Sequence, residues 1–138
     1  RPGAPFFLPG TPGSEIADPV RPRGSELVIR KESPNSFRNT GLLDHLREQG
    51  ITDLIIAGMM THMCIDSTCR AAADLGFSCS LVPDACATRN LEYLGRVIAA
   101  KDVHDAFIAA LSGLFARIVP SDEVIRELAA VPSPEGDA

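Results

Sequence analysis

The segment from residue 57 to residue 77, AGMMTHMCIDSTCRAAADLGF, contains the side chains best suited to covalent chemistry. It joins an apolar run to a helix-like pattern, and Cys64 falls in the first turn of that helix. Unpaired amides and the helix dipole favour an anion there, and they lower the pKa of a thiol. Since the thiolate is the nucleophilic form of cysteine, Cys64 is the candidate nucleophile. An inert, packed cysteine is the alternative.

A cysteine nucleophile needs a cation and a proton acceptor close to it. Lys31 ends the run ELVIRK, residues 26–31, which we expect to be a strand beside the strand that leads to Cys64. Its ammonium would then reach the same edge of the sheet, although an ordinary solvated lysine is the alternative. His62 and Asp66 are two residues from Cys64 and should point away from it on a helix. The segment therefore offers a nucleophile and a cation, but no carboxylate base.

The other three cysteines fit a packing role better. Cys69 and Cys79 fall among apolar residues of a helix and a strand, so we predict core positions, whereas Cys86 would either pack or line a site. No C-x-x-C pair is present, which argues against a zinc ribbon. A chain of 138 residues can build a core without disulfides. We therefore expect reduced thiols in a cytoplasmic protein, and we assign no metal ligand and no cofactor.

Composition and charge exclude two classes of partner. The 138 residues amount to one domain, with a net charge of −5 and 45% hydrophobic residues. Without a basic patch, nucleic acid is not an expected partner. No apolar run reaches the roughly 18 to 20 residues that a membrane span needs.

Three segments differ in composition. Residues 1–24 hold six prolines and four glycines and form a loop, either a surface loop or a wall over a pocket. Residues 25–130 contain the patterns of an α/β domain, and residues 131–138 are predicted to be a disordered tail.

Strands and helices alternate within residues 25–130. The predicted strands are residues 26–31, 51–58, 78–85 and 116–119, and the run 51–58 is apolar enough to be buried on both faces. The predicted helices are residues 40–50, 62–76, 102–115 and 121–128, with Leu114 pointing inward and Ser121 as an N-cap. This order indicates an α/β fold, a three-layer Rossmann-like open parallel sheet flanked by helices.

The run VIRKESPNSFRNTGLLDHLREQGITDLIIAGMMTHMCIDSTCRAAADLGFSCSLVPDACAT, residues 28–88, resembles the isochorismatase-like cysteine hydrolases. This superfamily includes nicotinamidases and N-carbamoylsarcosine amidohydrolases. The matching pattern is a lysine ahead of NSF, then IIAG, a threonine shortly before Cys64, Thr68, the run AAADLGF and the pair DA. The likeness extends from about residue 8 to about residue 119.

The resemblance implies roles for particular residues. Cys64 would be the nucleophile and Lys31 the active-site lysine. A cis peptide between Met59 and Met60 would aim the Met60 amide, together with the Cys64 amide, at a developing oxyanion. The third catalytic residue of the family is an aspartate at the end of its first strand, and we expect that strand and that aspartate upstream of this chain.

The function implied is cleavage of a small-molecule amide or related C–N bond through a thioester on Cys64. We expect four residues to shape the substrate pocket: Phe7, Asn35, Phe37 and His62. The resemblance also implies a homo-oligomer, a dimer or a tetramer. Two other classes stay open: a redox-active or ligand-binding protein on the same scaffold, and a non-catalytic relative whose dimer surface matters.

Overall fold

The structure is a computed structural model that describes residues 7, 8 and 10–131. The tail predicted for residues 131–138 lies, apart from Val131, outside the described residues. The strands are β1 Asp53–Met59, β2 Ser78–Ala87, β3 Leu91–Tyr93, β4 Arg96–Ile98 and β5 Arg117–Ile118. The helices are α1 Leu42–Glu48, α2 Asp66–Asp74, α3 Ala100–Leu111 and α4 Ser121–Ala130. Before residue 40 the described chain is a loop with two short turns, at Pro12–Ser14 and Asp18–Val20.

Three of the strands form one parallel sheet in the order β1-β2-β5. Ile56 of β1 lies opposite Leu81 of β2, and Leu81 lies opposite Ile118 of β5. Helix α2 connects β1 to β2, and α3 leads into β5, as parallel strands require. The predicted α/β fold is therefore confirmed.

Helices pack on both faces of this sheet, although on the second face only beside β2 and β5. On one face, α2 and α3 enclose a core in which Cys69, Leu81 and Leu111 have no exposed surface. On the other, Val124 of α4 packs with Val82 and Val119. Burying each of these aliphatic side chains contributes about 1.5–3 kcal/mol, and the layers fix the carboxyl ends of β1 and β2 relative to α2.

Strand β1 corrects one prediction. It was expected to be buried on both faces, but only the face with Leu54 and Ile56 meets the core, and Ile55 on the other face is 51% exposed. Among the described strands β1 pairs only with β2, so it lies at an edge. An apolar run shows that a strand can be buried, but its sequence does not show which faces receive a covering layer.

The structure also differs from the prediction of a strand at residues 26–31. They are not a strand: they pair with no described strand, and Leu27 and Val28 are 57% and 53% exposed. β-forming residues become a strand only when a neighbour takes their backbone hydrogen bonds, because the preference reflects packing on a sheet.

Two helix ends also differ from prediction. Helix α3 stops at Leu111, ahead of Gly113 with its φ of +80°, which leaves Leu114 80% exposed and its predicted inward position wrong. Ser121 begins α4 rather than capping it, because the Asp84 carboxylate accepts the Ser121 N–H at 3.0 Å and the Ser121 hydroxyl.

The β3–β4 hairpin was not predicted, since three-residue strands give almost no periodic signal. Each helix in the described ranges is too short or too polar to span a lipid bilayer.

Candidate active site

The candidate nucleophile lies in an unusually wide helical turn. After β1 the Met59–Met60 peptide is cis, at the position that the family resemblance implies. Residues Thr61–Ile65 then form a turn in which Ile65 N–H bonds to Met60 O at 3.3 Å, a five-residue spacing. Such π-type turns occur often at functional sites. Cys64 lies in this turn, half-buried and with a free thiol, at the carboxyl end of the strand.

Two histidines anchor this wide turn. Thr61 is fully buried, and its hydroxyl lies 3.0 Å from Nδ1 of His104 on α3. His62 Nδ1 is 2.5 Å from the Thr88 hydroxyl just past β2, and the ring meets Phe107 edge-on. Burial, and then the charge of Arg89, lower the pKa of His62, which favours its neutral form at pH 7. The turn that carries Cys64 is therefore fixed from both sides.

Lys31 lies in exposed coil but has a defined position. Its ammonium donates to the carbonyl oxygens of Ser33 and Pro34, both at 2.8 Å. An ammonium carries three N–H donors, so one donor is left for another acceptor. Within the part of the chain that the structure describes, no carboxylate is paired with Lys31.

The loop that follows Lys31 is attached to helix α2. The Thr68 hydroxyl accepts the Ser36 N–H at 3.1 Å and lies 3.3 Å from the Pro34 carbonyl oxygen and 3.0 Å from the Ser36 hydroxyl. Thr68 comes four residues after Cys64, about one turn further along the helix. Lys31 and Cys64 are thus connected through one short set of contacts, without a direct bond between them.

Phe37 and Asn35 make contacts within this loop and the core. The Phe37 ring stacks on Phe77 with centroids 6.0 Å apart and packs against the core cluster. The Asn35 side-chain oxygen accepts the Phe37 N–H at 2.8 Å. Both residues hold the loop in place, and their roles as substrate contacts stay predictions.

Phe7 lies in a different place from Cys64. Together with Lys31 it lines a cavity of about 1200 Å³ between the N-terminal loop and residues 28–39. Cys64, Met60 and His62 do not line this cavity. The structure therefore places Phe7 and Lys31 along one cavity and Met60, His62 and Cys64 in or beside the wide turn. Thr68 of α2 is bonded to Pro34 and Ser36 of the loop that follows Lys31.

The remaining cysteines lie in the core, as predicted for Cys69 and Cys79. Cys69 is fully buried, and burial, with the nearby Cys79 and Asp66, raises its pKa to about 12 against the opposing effect of Arg70. Cys79 is 7% exposed, and burial raises its pKa also. Half-buried Cys86 packs against the same core, and burial raises its pKa despite a hydrogen bond from the Gly58 backbone.

Sequence reasoning missed the contacts that position the site. The pairs Thr61–His104 and His62–Thr88 join segments 43 and 26 residues apart. Nothing in the local pattern marks such pairs. The Thr68 hydroxyl was visible only as part of the family pattern, without a stated role.

Comparison with known proteins identifies a single family. The family model for the Isochorismatase domain matches residues 1–123. Streptothricin hydrolase of Streptomyces noursei is 38% identical over 94% of this chain and 46% of its own length. Nicotinamidase 3 of Arabidopsis thaliana is 30% identical over 88% of this chain and 58% of its own length. The crystal structure of an isochorismatase from Pseudomonas putida superposes with a TM-score of 0.82 at 38% identity, covering 86% of this chain and 61% of that one. The chain thus spans about half to two thirds of these proteins.

Proposed function

The chain belongs to the isochorismatase family, and we propose that it is a cysteine hydrolase that cleaves a small-molecule amide or related C–N bond through a thioester on Cys64. The observation that carries the proposal is the position of Cys64. It is the half-buried thiol of the wide turn at the carboxyl end of β1, where ligands bind in open α/β sheets. The names of two relatives, a nicotinamidase and a streptothricin hydrolase, fit a hydrolase that acts on amide-type bonds.

The proposed reaction has two halves. The Cys64 thiolate attacks the carbonyl carbon, the C–N bond breaks, and the amine leaves with a proton, so that an acyl thioester stays on the sulfur. Water then attacks the thioester and releases a carboxylic acid and the free thiol. The backbone amides of Met60 and Cys64 are the proposed donors to the oxyanion in both halves.

Lys31 is the proposed electrostatic partner of the thiolate. An ammonium near a thiol favours the ionised form and lowers its pKa. Two of its N–H donors are occupied by carbonyls, which leaves the third for the thiolate or its proton acceptor. The proton acceptor is the aspartate that the family resemblance implies, and it too stays a prediction.

His62 is a proposed pocket residue whose surroundings favour an uncharged ring. His62 is held neutral and edge-on to Phe107, so it offers a flat, weakly polar wall rather than a charge. If His62 lines the pocket, as proposed, its uncharged ring suits an uncharged amide better than a phosphate or a dicarboxylate.

The test is hydrolysis by the full-length protein with Cys64→Ala and Cys64→Ser. A panel of small primary amides and ureido compounds is screened for ammonia or amine release. We expect both variants to lose at least about 10³-fold in rate on any responsive substrate, because removal of a covalent nucleophile acts on that scale.

Cys86→Ala is the matched control, since Cys86 is also a half-buried thiol at the carboxyl end of a strand. Its activity should stay near that of the unmodified protein. Retained hydrolysis in Cys64→Ala would overturn the proposal. Reversible peroxide oxidation of Cys64 without turnover of any amide would instead favour a redox-active protein.

A further inference from the structure

We propose that Thr68 is a positioning residue whose hydroxyl holds the Lys31 ammonium on the Cys64 side of the sheet. The inference rests on the proposed function, since it gives Lys31 its role beside the thiolate. The Thr68 hydroxyl would touch neither the substrate nor the Cys64 sulfur, and it would act through the loop of residues 33–37.

The first support is the number of bonds that this one hydroxyl makes. A hydroxyl has one proton to donate and two lone pairs to accept with. Donation to the Pro34 carbonyl leaves the lone pairs for the Ser36 N–H and the Ser36 hydroxyl, and these are the three neighbours found. The hydroxyl is therefore fully used in attaching the loop to α2.

The second support is that Lys31 and Thr68 share an acceptor. The Pro34 carbonyl oxygen takes the Lys31 ammonium at 2.8 Å and lies 3.3 Å from the Thr68 hydroxyl. The ammonium and the hydroxyl can therefore be no further apart than those two distances combined. Since residues 26–31 pair with no described strand, a sheet ladder does not fix Lys31 in the described structure.

The third support is the phase of the helix. Thr68 follows Cys64 by four residues, and side chains at that spacing lie on one helix face, about 6 Å apart along the axis. The loop held by Thr68 therefore approaches the face from which Cys64 projects. A link at Asp66 or Arg70 would bring the loop to another face, and those two residues are instead bonded to each other at 2.9 Å.

The loop has other attachments that should keep it folded without Thr68. The Thr40 hydroxyl donates to the Ser36 carbonyl at 2.5 Å, and Phe37 stacks on Phe77. Thr68→Val keeps the shape of the side chain and removes only its hydrogen bonds. This variant should therefore release the Lys31 end of the loop while the core stays intact.

The experiment measures the rate at which iodoacetamide alkylates Cys64 at pH 7, read by peptide mass spectrometry on the folded full-length protein. It needs no substrate. The charged and titratable groups around the wide turn are His62 and Asp66 of that segment, His104 of α3, Cys86 of β2 and Arg89 beyond it. None of them is altered in the variants.

We expect Thr68→Val to slow this alkylation about tenfold, because the thiolate would lose the ammonium that favours it. Lys31→Ala should slow it as much, and the double variant no further. Thr68→Ser retains the hydroxyl and should behave as the unmodified protein. Thr52→Val is the matched control, because its hydroxyl bonds only to the neighbouring Asp53 at the other end of β1.

Two results would overturn the inference. If Lys31→Ala slows alkylation and Thr68→Val does not, Lys31 acts without Thr68, and the proposed hydrolase is unaffected. If neither variant slows it, Lys31 does not stabilise the thiolate at all. Failure of the proposed function itself is recognised separately, by undiminished hydrolysis in Cys64→Ala.

Discussion

Cys64 and Cys69 lie five residues apart along one helical segment, yet their surroundings differ in almost every respect. Cys64 is half-buried in the wide turn at the carboxyl end of β1. Cys69 is fully buried on the core stripe of α2, and its pKa is raised to about 12. The comparison teaches that the end of a helix offers a thiol to solvent and dipoles, whereas the middle of its apolar stripe keeps the same group protonated.

The largest expected contrast is in alkylation. At pH 8 a thiol with a pKa of about 12 is ionised to about one part in 10⁴, and Cys69 also has no exposed surface. Iodoacetamide should therefore modify Cys64 in the folded protein and Cys69 only after unfolding in urea, as read by peptide mass spectrometry. Equal labelling of both cysteines in the folded state would remove the distinction between them.

Substitution by serine should lower the free energy of unfolding more at Cys69 than at Cys64, whereas alkylation should favour Cys64. Cys69→Ser puts a hydroxyl among apolar side chains and should lower the free energy of unfolding by about 1–3 kcal/mol. Cys64→Ser should change it by less than about 0.5 kcal/mol, since that site is partly solvated. Urea unfolding of both variants measures this. A larger loss at Cys64 than at Cys69 would contradict the burial pattern.

A smaller effect tests how firmly the wide turn is held. Thr61→Val removes the hydroxyl bound to His104 and should lower the free energy of unfolding by about 1 kcal/mol, because the imidazole loses its partner. Thr52→Val, which alters a surface hydroxyl, is the control and should be nearly neutral. If the two variants unfold at the same urea concentration, the Thr61–His104 bond does not stabilise the turn.

The smallest effect comes from the opposite face of the sheet. Hydrogen bonds from Ser121 lower the pKa of Asp84 below its ordinary value. A carboxyl whose pKa is lower in the folded state stabilises the fold above its unfolded pKa, and that contribution is lost as the pH falls through the folded pKa.

Asp84→Asn should therefore flatten the decline in melting temperature on acidification below the ordinary pKa of an aspartate. The variant should leave Cys64 alkylation unchanged, because α4 packs on the face of the sheet opposite to α2. A melting curve with the same acid dependence as the unmodified protein would show that Asp84 does not contribute in this way.

Sequence alone predicted the layered fold and the position of the candidate nucleophile. The β1–α2–β2 unit has strong local signals: an apolar run, a 3.6-residue stripe and Gly76 with its φ of +92° at the helix end. Prediction from the sequence failed where the strand pairing or the burial of a residue depends on the element that packs against it. Residues 26–31 lack a described strand partner, and Ile55 lacks a covering layer, although both have strand-like patterns.

The reactive residues of the candidate site were predictable from the sequence, but the hydrogen bonds that position them were not. Cys64 and Lys31 are unusual residue types in informative places. Thr61, Thr68 and Thr88 are ordinary residue types. The hydrogen-bond partners of their hydroxyls lie 26 to 43 positions away in sequence. Only a three-dimensional arrangement reveals such pairings.

The five-residue spacing of the Thr61–Ile65 turn also makes its length critical. An α-helix advances about 100° per residue, so deletion of one residue from this turn would rotate everything after it by more than a quarter of a circle. Cys69 and Ala72, both without exposed surface, would then no longer point into the core. Insertions and deletions that a surface loop tolerates should therefore be ruinous here, because this one turn couples the orientation of the reactive sulfur to that of the packed helix.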